Sequence, residues 1–345
     1  MIVTLGAFGA DVSSSASRGR IAYVQQRAGH SWIVESGLDG ANPTMLPSAH
    51  RHDASPVWSP DGSHIALQRS GIWFVVPAAR AGRVQTAVRA GVTPNDGGIV
   101  WSPDGRLTAV APGDCATISS QARVVIGDNG RLRSIRLRLR ASDRPAQGSG
   151  AVVVVWGFSP DSRALLVSVE LAGDSCRQFG LDDAAALYVV SLDGRRQQRF
   201  ATGHSLWSAT WSPDGRQIAY SSACVRVCSA ISIRLADGVR HPLFTLAGPL
   251  NQDPAGLDVI WRLGRLIVSA RLDRGQSIYT VEPGQPRRLL GQGELIQCEC
   301  GGLVAFDTGA KLVLADPATT RTWTYRSHLG PPLAPGGEAV FLAPG

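Results

Sequence analysis

The chain has 345 residues and a formal net charge of +7, with 44% hydrophobic and 18% charged residues. That balance supports a buried core and excludes a disordered chain, and no uninterrupted apolar run of about 18 residues exists to form a transmembrane helix. The positive charge is almost all arginine, with Lys311 the sole lysine; it suits an anionic partner or reflects genomic base composition.

Met1 to Ala10 is apolar and small, and Asp11 to Ala16 ends in a Ser-x-Ala sequence. Residues 1–16 therefore read either as the back half of a signal peptide, lacking a basic start, or as a closing first strand. Residues 17–345 are expected to form a single domain.

From Gly19 onward one hairpin pattern recurs. Trp58-Ser-Pro-Asp61-Gly62, Trp101-Ser-Pro-Asp104-Gly105 and Trp211-Ser-Pro-Asp214-Gly215 are perfect copies, and Phe158-Ser-Pro-Asp161-Ser162 is a variant. Each stands between two short apolar runs. Ser opens the turn, Pro presets φ near −65°, Asp bonds back to the backbone, and Gly supplies the positive φ that returns the chain. Weaker copies begin at Gly19, Trp261, Cys300 and Ala334. A third strand follows each hairpin, at 31–35, 72–76, 123–126, 186–191, 230–235, 277–281 and 311–315. A second turn and an arginine-bearing fourth strand complete the unit. No stretch has sustained helical periodicity. The prediction is all-β: a propeller of four-stranded antiparallel blades. Seven blades are expected, or eight should residues 1–16 contribute one. The terminal hairpin, Leu333 to Leu342, is expected to join the N-terminal segment and close the ring.

This repeat resembles the WD40-like, Ser-Pro-Asp-Gly repeat of TolB-type propellers, also found in the non-catalytic propeller of prolyl oligopeptidase and dipeptidyl peptidase relatives. The resemblance covers nearly the whole chain and implies the fold. The separate α/β domain of TolB finds no counterpart before Gly19, so a role in the Tol–Pal system is not implied. The peptidase relatives carry a Gly-x-Ser-x-Gly elbow in a further domain; Gly203-His-Ser205-Leu-Trp207 lacks its second glycine, so serine hydrolase chemistry is not expected.

Candidate ligand residues fall in the connections from a fourth strand to the next inner strand, which share one rim. They are His50, His52 and Asp53 before Trp58, Asp96 before Trp101, His204 before Trp211, Asp253 before Trp261, and His328 before Pro335. Convergent imidazoles can ligate a divalent metal, and some propeller lyases of this repeat class use a histidine cluster. Asp53 and Asp96 each stand five residues before their Trp, so part of the set is repeat grammar. The leading reading is a monomeric, exported, non-catalytic scaffold that binds a protein, peptide or glycan on this rim and needs no cofactor. The alternatives are a metal-dependent, polysaccharide-lyase-like enzyme and a propeller subunit of a separately encoded enzyme.

The six cysteines suggest disulfides in an exported protein. Cys115 and Cys176 occupy parallel loops of neighbouring units, Cys224 and Cys228 the corresponding stretch of the next, and Cys298 and Cys300 a degenerate turn. The expected pairs are Cys115–Cys176 and Cys224–Cys228. The basic run Arg131 to Arg140 alternates apolar and charged from Ile135, as an outer strand does. No aromatic residues interleave to stack bases, so nucleic acid is not the expected partner. The motif tryptophans are assigned to packing between blades.

Overall fold

In the computed structural model the described residues are 20–27, 30–37, 42–46, 53–70, 72–78, 85–89, 98–111, 122–140, 150–172, 185–201, 206–222, 224, 227–247, 256–272, 275–282, 285–296, 303–309, 311–326 and 340–341. They contain no helix, and their strands form seven four-stranded antiparallel sheets. The first blade holds β1 (Arg20–Arg27), β2 (His30–Gly37) and β3 (Thr44–Met45); the second holds β4 (Asp53–Trp58), β5 (His64–Arg69), β6 (Ile72–Pro77) and β7 (Gln85–Arg89). The third comprises β8 (Val100–Trp101), β9 (Leu107–Val110), β10 (Arg123–Asp128) and β11 (Arg131–Arg136). The fourth comprises β12 (Gly150–Phe158), β13 (Ala164–Ala172), β14 (Ala185–Ser191) and β15 (Gln197–Ala201). Blade five is β16 (Leu206–Trp211), β17 (Gln217–Ser222), β18 (Val227–Arg234) and β19 (Arg240–Ala247). Blade six is β20 (Leu257–Arg262), β21 (Arg265–Leu272), β22 (Gly275–Val281) and β23 (Arg288–Gln292). Blade seven is β24 (Glu294–Ile296), β25 (Val304–Asp307), β26 (Lys311–Ala315) and β27 (Thr322–Arg326).

The ring closes at the first blade. Its inner strand is β28 (Val340–Phe341), which pairs Ile21 with Phe341 and Ala22 with Val340. C-terminal residues thus complete a sheet begun near the N-terminus, as expected. The rest of the anticipated terminal hairpin, 327–339, and the segment 1–16 lie outside the described residues.

The repeated turn explains why each blade starts as it does. In the third perfect copy the Gly215 N–H donates to the Ser212 carbonyl at 2.9 Å, closing the turn. The Ser212 hydroxyl donates to Asp214 Oδ1 at 2.6 Å and accepts the Gln217 N–H at 2.9 Å. Asp214 Oδ1 also accepts the Arg216 N–H at 3.0 Å. The serine therefore does more than open the turn: its one hydroxyl ties the aspartate to the returning strand. Ser59, Ser102 and Ser159 repeat the bond to Asp61, Asp104 and Asp161 at 2.5–2.6 Å. Gly62, Gly105 and Gly215 take φ of 66, 69 and 68°, and Ser162 adopts 57° in the variant copy.

The core lies between blades, not within one. Six apolar clusters each bridge consecutive blades, from the first and second (Ile33, Trp58, Ile65) to the sixth and seventh (Ile267, Phe306, Val313). Trp58 and Trp211 are buried in these seams, and Trp101 and Trp261 pack against them. Trp101 Nε1 donates to the Val57 carbonyl at 3.1 Å and Trp211 Nε1 to that of Gly157 at 3.3 Å. Two of the motif tryptophans thus tie their inner strands to the preceding blade by a hydrogen bond, and all four pack at blade seams, in agreement with their sequence assignment.

Candidate functional site

The antiparallel order puts the Ser-Pro-Asp-Gly turns on one face. The starts of the inner strands, ends of the second strands and starts of the third strands share the opposite rim. The predicted ligand residues flank that rim in the chain. His50, His52, Asp96, His204, Asp253 and His328 lie outside the described residues. Asp53 opens β4, where its backbone pairs with Arg69. Among the described residues no group of three or more His, Cys, Asp or Glu side chains could hold a metal ion. Cys115, Cys176, Cys298 and Cys300 also lie outside the described residues. Cys224 and Cys228 form the expected disulfide, with Cα atoms 5.3 Å apart, within the bridging range.

What the described part of the rim does bring together is a cluster across blades five and six. Leu206 pairs with Ser222 and Ser208 with Ser221, so Trp207 is the extra residue of a β-bulge. The bulge turns its indole out of the seam, leaving it 42% exposed. Trp207 Nε1 donates to Asp258 Oδ1 at 3.2 Å. Gln276 Nε2 donates to Asp258 Oδ2 at 3.3 Å and to Ser269 Oγ at 2.6 Å. The ring lies directly against Gly256: a Cβ placed there would stand 1.9 Å from Trp207 Cγ, so no other residue fits beneath it.

The floor of this cluster joins the two blades. Ser208 Oγ accepts the Val259 N–H at 3.1 Å, and Ser221 Oγ donates to the Leu257 carbonyl at 2.5 Å. At the same end of blade four, β13 buries the carboxylate of Glu170 at 3% exposure, with Ser168 Oγ 3.5 Å from Oε1. The Asp258 carboxylate is hydrogen-bonded through both oxygens and holds the indole edge in place. Such an arrangement orients an aromatic face toward a ligand, which can stack on it while bonding the surrounding polar groups.

Sequence reasoning placed the rim but missed Trp207, Asp258 and Gln276. The available signal was a second tryptophan four residues before Trp211, at a position where the other perfect copies carry no aromatic.

No family model and no curated protein matches the chain. Similarity appears among solved structures. An oligogalacturonate lyase in complex with manganese aligns with TM-score 0.58 at 13% identity, over 89% of this chain and 84% of that one. The Pyrococcus horikoshii acylaminoacyl peptidase aligns with TM-score 0.55 at 13% identity, over 90% of this chain and 51% of the peptidase. TolB from Acinetobacter baumannii aligns with TM-score 0.48 at 14% identity, over 95% of this chain and 67% of TolB. At these identities the likeness is one of fold alone, a β-propeller.

Proposed function

We propose that the protein is a non-catalytic binding scaffold whose partner, a protein, peptide or glycan, docks on the rim around Trp207. The observation that carries this reading is the exposed indole itself. It is held flat on Gly256 and fixed at its N–H by Asp258, at the mouth of a rigid ring. A preorganised aromatic with a polar fringe is the arrangement that supplies most affinity in binding sites, because little ordering entropy remains to be lost. His204 and Asp253 stand three and five residues before Trp207 and Asp258 in the chain. Export is the compartment that the Cys224–Cys228 disulfide fits.

The test is a peptide and glycan array probed with the wild-type protein and with Trp207→Ala. A ligand retained by the wild type and weakened by about 2 kcal/mol, roughly thirtyfold, in the variant supports the reading. An array on which no ligand is weakened by the variant overturns it. The manganese in the similar lyase makes a metal-dependent enzyme the reading to test alongside. Stoichiometric metal in protein purified without a histidine tag, with turnover of a uronate polymer, would replace the scaffold by that enzyme.

A further inference from the structure

A second surface stands on the opposite, turn-bearing face, at the junction of blades three and four. A groove of about 430 Å³ is lined by Ser162, Arg163, Ser191, Leu192, Arg195 and Arg196, with Asp193 on its wall. It is built across blades. Arg133 of β11 donates through Nη1 to the Leu192 carbonyl at 2.5 Å, a contact 59 residues apart in the chain. Gln197 Nε2 donates to the Arg136 carbonyl at 3.0 Å, and its Oε1 accepts the Arg138 N–H at 2.8 Å. Gly194 packs so closely on Ile135 that an added Cβ would come within 3.1 Å of its Cγ2. The outer strand of one blade and the second turn of the next therefore form one continuous surface.

Its charge is lopsided. Arg163, Arg195 and Arg196 line the groove and are exposed, and Arg133, also exposed, is bonded to the Leu192 carbonyl beside it. Arg136, Arg138 and Arg140 continue outward at every second position, on the face opposite buried Ile135 and Leu137. Alternate residues of an extended strand repeat at about 7 Å, so these three guanidinium groups form a row on the side of the chain turned away from blade four. The single acid lining the groove, Asp193, is committed to its own turn through the Ser191 hydroxyl at 2.5 Å and the Arg195 N–H at 3.0 Å. Its contact with the Arg195 side chain is a distant 3.9 Å between well-exposed groups. Solubility alone explains scattered arginines, but not three arginines of two adjoining turns gathered on one groove.

We propose that this groove binds an acidic polysaccharide, its sulfate or carboxylate groups seated on Arg163, Arg195 and Arg196. Guanidinium forks match such oxyanions bidentately, and three of them on one groove suit a polyanion better than a lone small anion. The hydroxyl groups of Ser162 and Ser191 stand among the arginines that line the groove and suit sugar hydroxyls. A single-stranded nucleic acid fits less well, because no Phe, Tyr or Trp stands among residues 131–140, 162–163 or 191–198 to stack a base.

The experiment is titration calorimetry of the full chain with a heparin-derived oligosaccharide, with oligothymidylate of equal charge, and with inorganic sulfate. The expected result is oligosaccharide binding that weakens as salt is raised, exceeds the affinity for the other two probes, and falls about tenfold or more in Arg163→Gln/Arg196→Gln. Both side chains are exposed, so thermal denaturation of that variant should match the wild type. Arg163→Lys/Arg196→Lys should bind with intermediate affinity, since charge remains and the fork is lost. Trp207→Ala should bind the oligosaccharide as the wild type does. Absence of binding, equal binding by the glutamine variant, or tighter binding of oligothymidylate would each overturn the proposal.

Discussion

The serine hydroxyl of each Ser-Pro-Asp-Gly turn is the smallest unit on which the fold depends. Ser212 Oγ both donates to Asp214 and accepts from Gln217, so Ser212→Ala leaves a strand N–H without its partner and should cost about 1–3 kcal/mol. Gly215 sits at φ 68°, and Gly215→Val should cost a similar 1–3 kcal/mol through backbone strain. Denaturant unfolding measures both; an unchanged midpoint for either variant would contradict the turn geometry. The same bonds set a pH response. The Ser102, Ser159 and Ser212 hydroxyls hold Asp104, Asp161 and Asp214 below their ordinary value of 3.8, and in Asp61 the bonds from Ser59 and Ser63 outweigh the opposing effect of burial. A carboxylate depressed in the folded state contributes stability above its unfolded pKa, and that contribution is lost as pH falls through the folded value. The melting temperature should therefore hold down to about pH 4 and decline below it, with a shallower decline in Asp214→Asn. An equal slope in wild type and variant would show that these turns do not carry the acid response.

Strands and turns were legible in the sequence because their determinants are local. Pro, Asp and Gly at fixed offsets specify a turn wherever they occur, and the third strands read from 31–35 to 311–315 fall on β2 to β26, with only Leu235 one residue past the end of its strand, β18. Trp207 was not legible, since a tryptophan in an inner strand reads as core. Only the bulge between Leu206 and Ser208, a product of pairing with β17, turns it outward. Asp258 and Gln276 gain meaning only from the neighbouring blade, which local pattern does not reveal. The Cys224–Cys228 bridge was legible because a separation of four residues at a strand end confines the two thiols. It closes a short loop, so in the chain-entropy model it contributes on the order of 2 kcal/mol. Peptide mapping without reductant should recover residues 224 and 228 linked, and reductant should lower the melting temperature by a few degrees. Two alkylatable thiols there in protein from an oxidising compartment would contradict the pairing.

At the scale of the molecule, closure rests on two residue pairs, Ile21–Phe341 and Ala22–Val340, in which β28 covers the inner edge of β1. An uncovered edge is a template for association. Truncation after residue 337 should lower the melting temperature and produce dimers or larger species on size exclusion; a monomeric, equally stable truncated protein would mean that the ring does not depend on this strand. The ring also supports the rim proposed as a binding surface, because apolar clusters between blades four and five and between five and six underlie Trp207 and Asp258, and the Ser208–Val259 bond joins their blades. The most direct measurement is hydrogen–deuterium exchange of the protein with and without the ligand that the array identifies. Protection centred on the amides of 206–208 and 256–259, with the Ser-Pro-Asp-Gly turns unchanged, is the predicted result. Protection at the turns with the rim unaffected would contradict the assignment.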